Sequence, residues 1–352
     1  MRFDFELRSA DGRLVSPNVV LPFLSSLVSF AFAAAVLAQW SRRHRAFQLV
    51  WAVGLLWYGI SAGTEFLGSA FGWNEALYRA WYLIGAFFVA AYLGAGTVVL
   101  LARTRFGYFV AVSFVLGALY AFAIRGRYPE DTTAFAVVLV ACLVAAIAIA
   151  MATWRARALV APIALAVLGV GSVVAATLVL RATLDAPYAL DPTTGVPVGT
   201  AIPGNIRILA GPFNIIGAFA LVVGAIFSAY VFMPKQRLLG RRALPPGVAQ
   251  IYGAVAVAVN FIASLPRAAV ALARGELHSR VPATLLIALG GFIPGVTSGL
   301  NRFGFTWAFF LGELLGVLLI FAGFVVSTEV FGERVRLGPV VVRRREKEVS
   351  AT

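Results

Sequence analysis

Residues 133–153 read TAFAVVLVACLVAAIAIAMAT, with RGRYPED at 125–131 before them and Arg155 and Arg157 after. The run carries no charge and does not alternate between polar and apolar side chains. A β-barrel strand alternates with a period of two, so the run is not one. About 20 helical residues span roughly 30 Å, the thickness of the hydrocarbon layer. Within lipid each backbone N–H and C=O must find its partner inside the segment, which a helix provides. The stretch reads as a membrane-crossing helix.

The same pattern repeats outward from it. Hydrophobic residues make up 61% of the chain and charged residues 12%, against about 45–50% and about 25% in an average soluble domain. A coat so poor in charge cannot cover that much apolar surface in water. The runs fall at about residues 17–39, 46–67, 77–102, 106–124, 133–153, 159–180, 208–233, 281–300 and 303–331, with a shorter one at 248–265. The expected fold is all-α, a polytopic transmembrane bundle of nine or ten spanning helices. Residues 1–16 form a short segment before it, and 333–352 a basic tail after it. Residues 1–16 mix Arg2, Arg8 and Arg13 with Asp4, Glu6 and Asp11, unlike the basic start of a cleaved secretory signal. Residues 181–207 make the longest loop, where Pro187, Pro192, Gly195, Pro197, Pro203 and Gly204 predict irregular structure.

The net charge of +14 would suggest nucleic acid on a soluble chain. Here the basic residues lie in loops, where they orient the helices and meet anionic lipids. No nucleic-acid partner is expected. Arg42, Arg43, Arg45, Arg103, Arg105, Arg155, Arg157, Lys235, Arg237, Arg241 and Arg242 fall in one set of alternate loops. Arg79, Arg125, Arg127, Arg181 and Arg207 fall in the other. The positive-inside rule puts the richer set in the cytoplasm, the N-terminus and the 181–207 loop outside, and the 234–247 loop inside. The tail, with Arg334, Arg336, Arg343, Arg344, Arg345 and Lys347, belongs inside as well. Ten spans would export it. Nine keep it in, and then 248–265 is an interfacial or re-entrant helix. Lysine occurs only at 235 and 347, and alanine is abundant. Both fit a GC-rich bacterial genome and an inner-membrane location.

Charges within the spans are functional candidates by default, because each is costly in lipid. Glu313 lies about ten residues into the last run, near mid-membrane by a rise of 1.5 Å per residue. It reads as a proton or cation site, or as a neutral carboxyl bonded to a neighbouring helix. Glu65 and Arg79 flank a short hairpin and sit at similar depth, placed to pair or to snorkel separately to the interface. Asn214 and Asn260 are placed to join helices or to touch a substrate. Gly291, Gly295 and Gly299, with Pro294 among them, and Gly312 and Gly316 around Glu313, repeat at i, i+4 and predict close packing of the last two helices, or a hinge. The tryptophans at 40, 51, 73, 81 and 154 read as an aromatic belt. Ile84-Gly85-Ala86-Phe87 recurs as Ile216-Gly217-Ala218-Phe219, as a parallel duplication would place it.

One cysteine and two histidines, both histidines beside charged loops, leave no thiolate metal cluster and no bis-histidine haem. No phosphate loop, nucleophile elbow or zinc helix motif is present, and no lysine sits mid-span. No cofactor or metal is expected, and no catalytic residue stands out. The expected function is a transporter or permease-like protein for a small molecule or ion. The alternatives are a non-catalytic sensor or complex subunit and, behind them, an intramembrane lipid-acting enzyme.

Overall fold

The structure is a computed structural model describing residues 7–8, 14–240, 242–245, 247–302, 308–327, 334–337 and 340–343. Eleven α-helices follow in order: α1 Pro17–Arg43, α2 Ala46–Phe71, α3 Glu75–Leu83, α4 Val89–Leu101, α5 Gly107–Ile124, α6 Thr132–Arg155, α7 Val160–Arg181, α8 Gly204–Phe232, α9 Val248–Ala273, α10 Arg280–Arg302 and α11 Phe309–Val326. A π-helical turn, Ile84–Phe88, joins α3 to α4 in one continuous rod. Among the described residues ten helices are long and apolar enough to cross a membrane. Two short two-stranded ribbons, Leu7–Arg8 with Leu14–Val15 and Arg334–Leu337 with Val340–Arg343, flank the helices. Glu329 and most of the basic tail lie outside the described residues.

Local chemistry sets the helix ends. Pro17 opens α1 behind Ser16, whose hydroxyl accepts the Asn18 N–H. Arg42 and Arg43 occupy its last turn, and His44 closes it in the left-handed region at φ 48°. Gly72, at φ 97°, turns the chain out of α2, and the Asn74 carboxamide caps α3 through the Leu77 N–H at 2.9 Å.

Side-chain contacts fix the directions of the helices. The Ser26 hydroxyl donates to the Gly59 carbonyl at 2.8 Å and Gln48 donates to Gln39 at 2.7 Å, so α1 and α2 run antiparallel. Asn214 donates to the Ala86 carbonyl at 2.8 Å, and further along Gly224 lies against Thr97, so the α3–α4 rod and α8 run parallel. Leu21 packs with Phe309 and Phe310, and Phe32 stacks on Phe321 at 4.7 Å, so α1 and α11 also run parallel. One end of the bundle therefore gathers Pro17, the α2–α3 turn and the 182–203 loop. The other gathers residues 44–45, 102–106 and 156, and the end of α8.

The contacts also resolve the choice between nine and ten crossings. The apolar run expected at 248–265 continues as helix to Ala273, straight through Pro266. Ala229 and Met233 at the close of α8 pack in one cluster with Ala268 of α9 and Val281 of α10. Thus α8 ends and α10 begins at the same end of the bundle. A single crossing by α9 would separate them. Residues 235–240 run back along α9, and Lys235, Arg237 and Arg242 on and beside that segment make its passage through the lipid core too costly. Among the described residues nine helices, counting the α3–α4 rod as one, run from one end of the bundle to the other, while the chain leaves α8 and enters α10 at the Arg43 end with the close of α9 packed between them.

The glycine faces fall differently from the sequence reading. Gly312 and Gly316 do pack on α10, where a side chain at 316 would meet Pro294 and come 2.9 Å from the Gly290 carbonyl. Gly291 faces α8 at Leu221, whereas Gly295 and Gly299 have open space beside them. The i, i+4 stripe of α10 is not its seam. That seam runs through Gly290, Pro294 and Thr297, because α10 is wedged between α8 and α11 and divides its glycines between two neighbours. Gly316→Leu should lower the thermal midpoint of the purified protein sharply, by overpacking that costs about 1–3 kcal/mol or more. Gly295→Leu should leave it within about 0.5 kcal/mol of the parent.

Candidate functional site

Helix α2 carries a polar stripe at Tyr58, Ser61, Glu65 and Ser69, spaced by three or four residues on one face of a mostly apolar helix. That face turns inward. Glu65 is 1% exposed, and its Oε1 accepts from the Trp81 indole N–H at 2.8 Å. Opposite it stands Glu313 of α11, close enough for the two carboxyl groups to influence each other electrostatically. The Tyr58 hydroxyl donates to the backbone carbonyl of Glu313 at 2.7 Å and ties α2 to α11 at this level.

The sequence reading placed Glu313 near mid-membrane. The described helix starts at Phe309, so Glu313 lies one turn in, about 6 Å from that start by the rise per residue. Glu65 is six residues from the close of α2, about 9 Å. Both carboxyls therefore sit at one depth toward the Pro17 end.

The expected neighbour of Glu65 is absent. Arg79 instead donates to Glu75 at 2.6 Å and 2.8 Å, to the Val179 carbonyl at 2.5 Å and to the Ala182 carbonyl at 2.7 Å. Its guanidinium spans the open carbonyls at the C-terminus of α7, where a cation is favoured. Neither does Glu65 snorkel: it is fully buried, held by Trp81 of α3 and facing Glu313 of α11. Among the described residues no salt bridge reaches either Glu65 or Glu313.

Several hydrogen-bonding atoms at this level lack partners. Among the described residues the Oε2 atoms of Glu65 and Glu313, the Ser25 and Ser69 hydroxyls and the Trp73 indole nitrogen are buried without one. Only Gln48 and Trp57 add to that set elsewhere. Leu21 beside Phe309 and Phe32 beside Phe321 set the register that brings Ser25, 0% exposed, to the height of Glu313. Buried polar atoms are nearly always paired, so a cluster of unpaired ones marks where exchangeable protons, water or a ligand belong.

Ser69 and Trp73 also line an open cleft of about 320 Å³ at the Pro17 end, shared with Ser16, Asn18, Tyr188 and Gly195. The 182–203 loop forms its rim. There the Asp191 carboxylate accepts from the Thr193 and Thr194 backbone and the Thr194 hydroxyl at 2.8–3.0 Å, while the Thr194 carbonyl holds Asn18 at 2.5 Å. Burial pushes the Asp191 carboxyl up, and the three donors outweigh it, so it sits below the usual carboxylate range. Below the cleft, Trp73 lies 6.2 Å from Trp81, which in turn holds Glu65.

The remaining candidates lie elsewhere. Asn214 donates to the Ala86 carbonyl, inside the π-helical turn that frees a backbone acceptor, and so bonds α8 to the α3–α4 rod. The matching tetrapeptides thus lie on two packed parallel helices, but 84–87 form part of the π turn and 216–219 lie in regular helix. Asn260 does not join two helices: its carboxamide binds the Leu238 and Leu239 backbone of the preceding loop at 2.8–2.9 Å. Trp81 and Trp51 are not belt residues. Trp81 is 9% exposed, and Trp51 bonds the Leu93 carbonyl at 3.1 Å beside Gly96. Ser25, Tyr58, Ser69 and Trp81 were missed as site residues. The 58–61–65–69 stripe of α2 was the available signal.

Comparison of the chain with protein-family models, with curated proteins and with solved structures found no match.

Proposed function

We propose that this multi-pass membrane protein is a permease-like transporter of a small solute, driven by a proton that the Glu65–Glu313 pair takes up and releases. The observation that supports this reading is the pair itself: a buried Glu65 carboxyl and a half-buried Glu313 close enough to interact, with no cationic partner among the described residues. Two facing carboxylates repel strongly where water is excluded, so one proton or one small cation between them decides whether α2 and α11 stay together. A charge event that biases a helix contact is what coupled transport needs. The cleft above the pair supplies an approach from the Pro17 end. In this reading the protein sits in a bacterial inner membrane, and the basic loops at the Arg43 end lie in the cytoplasm. The N-terminus and the cleft then face outward.

The test is reconstitution of the purified chain into vesicles loaded with a pH-sensitive dye, under an imposed pH gradient, with a panel of small solutes added. Solute-dependent proton movement that falls at least about tenfold in Glu313→Ala is the expected result. Movement that persists unchanged in that variant would overturn the role of Glu313. A stable, folded protein that moves no proton with any solute of the panel would overturn transport in favour of a sensor or complex subunit.

A further inference from the structure

Helix α9 is built inside out. At 100° per residue Ile251, Val255 and Ile262 fall within about 40° of one another, and Asn260, Ser264 and Arg267 fall on the opposite side. The apolar side is the open one: Ile251 is 70% and Ile262 65% exposed, whereas Asn260 and Ser264 are buried. The polar side holds the loop that follows α8. Ser264 accepts the Gln236 N–H at 2.8 Å, Asn260 takes the backbone of Leu238 and Leu239, Arg267 donates to the Lys235 carbonyl at 3.1 Å, and Tyr252 donates to the Gly240 carbonyl at 2.9 Å. Residues 235–240 therefore run along α9 with their backbone groups satisfied by side chains rather than by water. An irregular segment placed at membrane depth needs that arrangement.

The charges complete the picture. Lys235, Arg237, Arg242, Arg267 and Arg274 belong to α9 and its two flanking loops, with Glu276 the one acidic residue among the described positions there. The Arg242 guanidinium lies over the Tyr252 ring at 5.7 Å, and the Lys235 ammonium over the Tyr230 ring at 5.4 Å. Because α8 ends and α10 begins at one end of the bundle with the close of α9 packed between them, α9 and the basic loop beside it meet the leaflet at that end.

We infer that α9 lies in the plane of the membrane at the Arg43 end, its Ile251–Ile262 stripe in the acyl layer, and that Lys235, Arg237 and Arg242 beside it bind the phosphate headgroups of anionic phospholipids. An in-plane helix with an apolar stripe and a basic flank is the arrangement that such a leaflet holds. The inference stands independently of the transport reading, since it draws on α8 to α10 and not on the carboxyl pair.

The single native cysteine, Cys142, makes the test direct. In a Cys142→Ala background, Ile251→Cys and Ile262→Cys are placed in lipid nanodiscs containing phosphatidylcholine and phosphatidylglycerol. Thr193→Cys, on the exposed loop at the other end, is the control. Both α9 cysteines should react at least about tenfold more slowly than the control with a charged maleimide, and readily with a lipid-soluble one. Reaction at the control's rate would show an α9 standing in water and would overturn the inference, pointing to a partner protein as its cover. In a second measurement, phosphatidylglycerol retained through detergent purification is counted by native mass spectrometry. The Lys235→Gln, Arg237→Gln, Arg242→Gln triple variant should retain at least about tenfold less of it. Unchanged retention, or full displacement by inorganic phosphate, would overturn the lipid site.

Discussion

Glu65→Gln, Glu313→Gln and the double variant should lose solute-coupled proton movement to the same extent, each by roughly 100-fold or more. Gln keeps the shape of Glu and can still accept the Trp81 N–H, so the helix contact survives. What it cannot do is gain or lose a proton. A pair that handles one proton between two oxygens works as a unit, and removing either member removes the whole effect. The check is the vesicle assay on all three variants at equal protein density, with thermal midpoints to show that each one folds. Additive losses, with the double variant much slower than either single one, would mean two independent sites. Tyr58→Phe removes the hydroxyl that holds the Glu313 carbonyl but neither carboxyl. It should slow the movement by only about tenfold, through looser positioning of α11.

Gly217→Leu should prevent assembly of a stable bundle. A side chain at 217 would enter the backbone of Ala90 and Ala91, and one at Gly94 would come 2.7 Å from the Gly217 Cα. Nothing at this seam can rotate aside, because the obstacles are main-chain atoms of α4 and α8. Small residues at a crossing let two membrane helices touch backbone to backbone, where dispersion and weak hydrogen bonds replace the missing hydrophobic drive. Forcing them apart breaks the contact along the whole seam, including the Asn214 bond to Ala86 one turn away. The expected loss is at least about 3 kcal/mol, read as a collapse in the yield of monodisperse protein. Gly169→Leu, on a face of α7 with open space, is the control and should purify normally. Equal yields for the two variants would refute the seam.

Composition and run length alone determined that this chain is a helical membrane protein and where its helices lie, to within a few residues for most of them. The reason is that lipid demands an unbroken, internally bonded apolar segment, which is a local property of the chain. Loop charge likewise picked out which loops share one end of the bundle. What a segment does after it forms depends on which neighbour it meets, and that is not local. Glu65 looked like an interfacial residue near Arg79 because the two are close along the chain. The register of α11 against α1 and α2 brought Glu313 to it instead, from 248 residues away. Asn260 looked like a helix-joining amide, and only the fold showed it holding a loop. The run at 248–265 is as apolar as a crossing helix, and sequence left its course open between two topologies. The packing of Ala229 and Met233 with Ala268 and Val281 put the end of α8, the close of α9 and the start of α10 together, and the charges at 235–242 argue against carrying the segment between them through the lipid core.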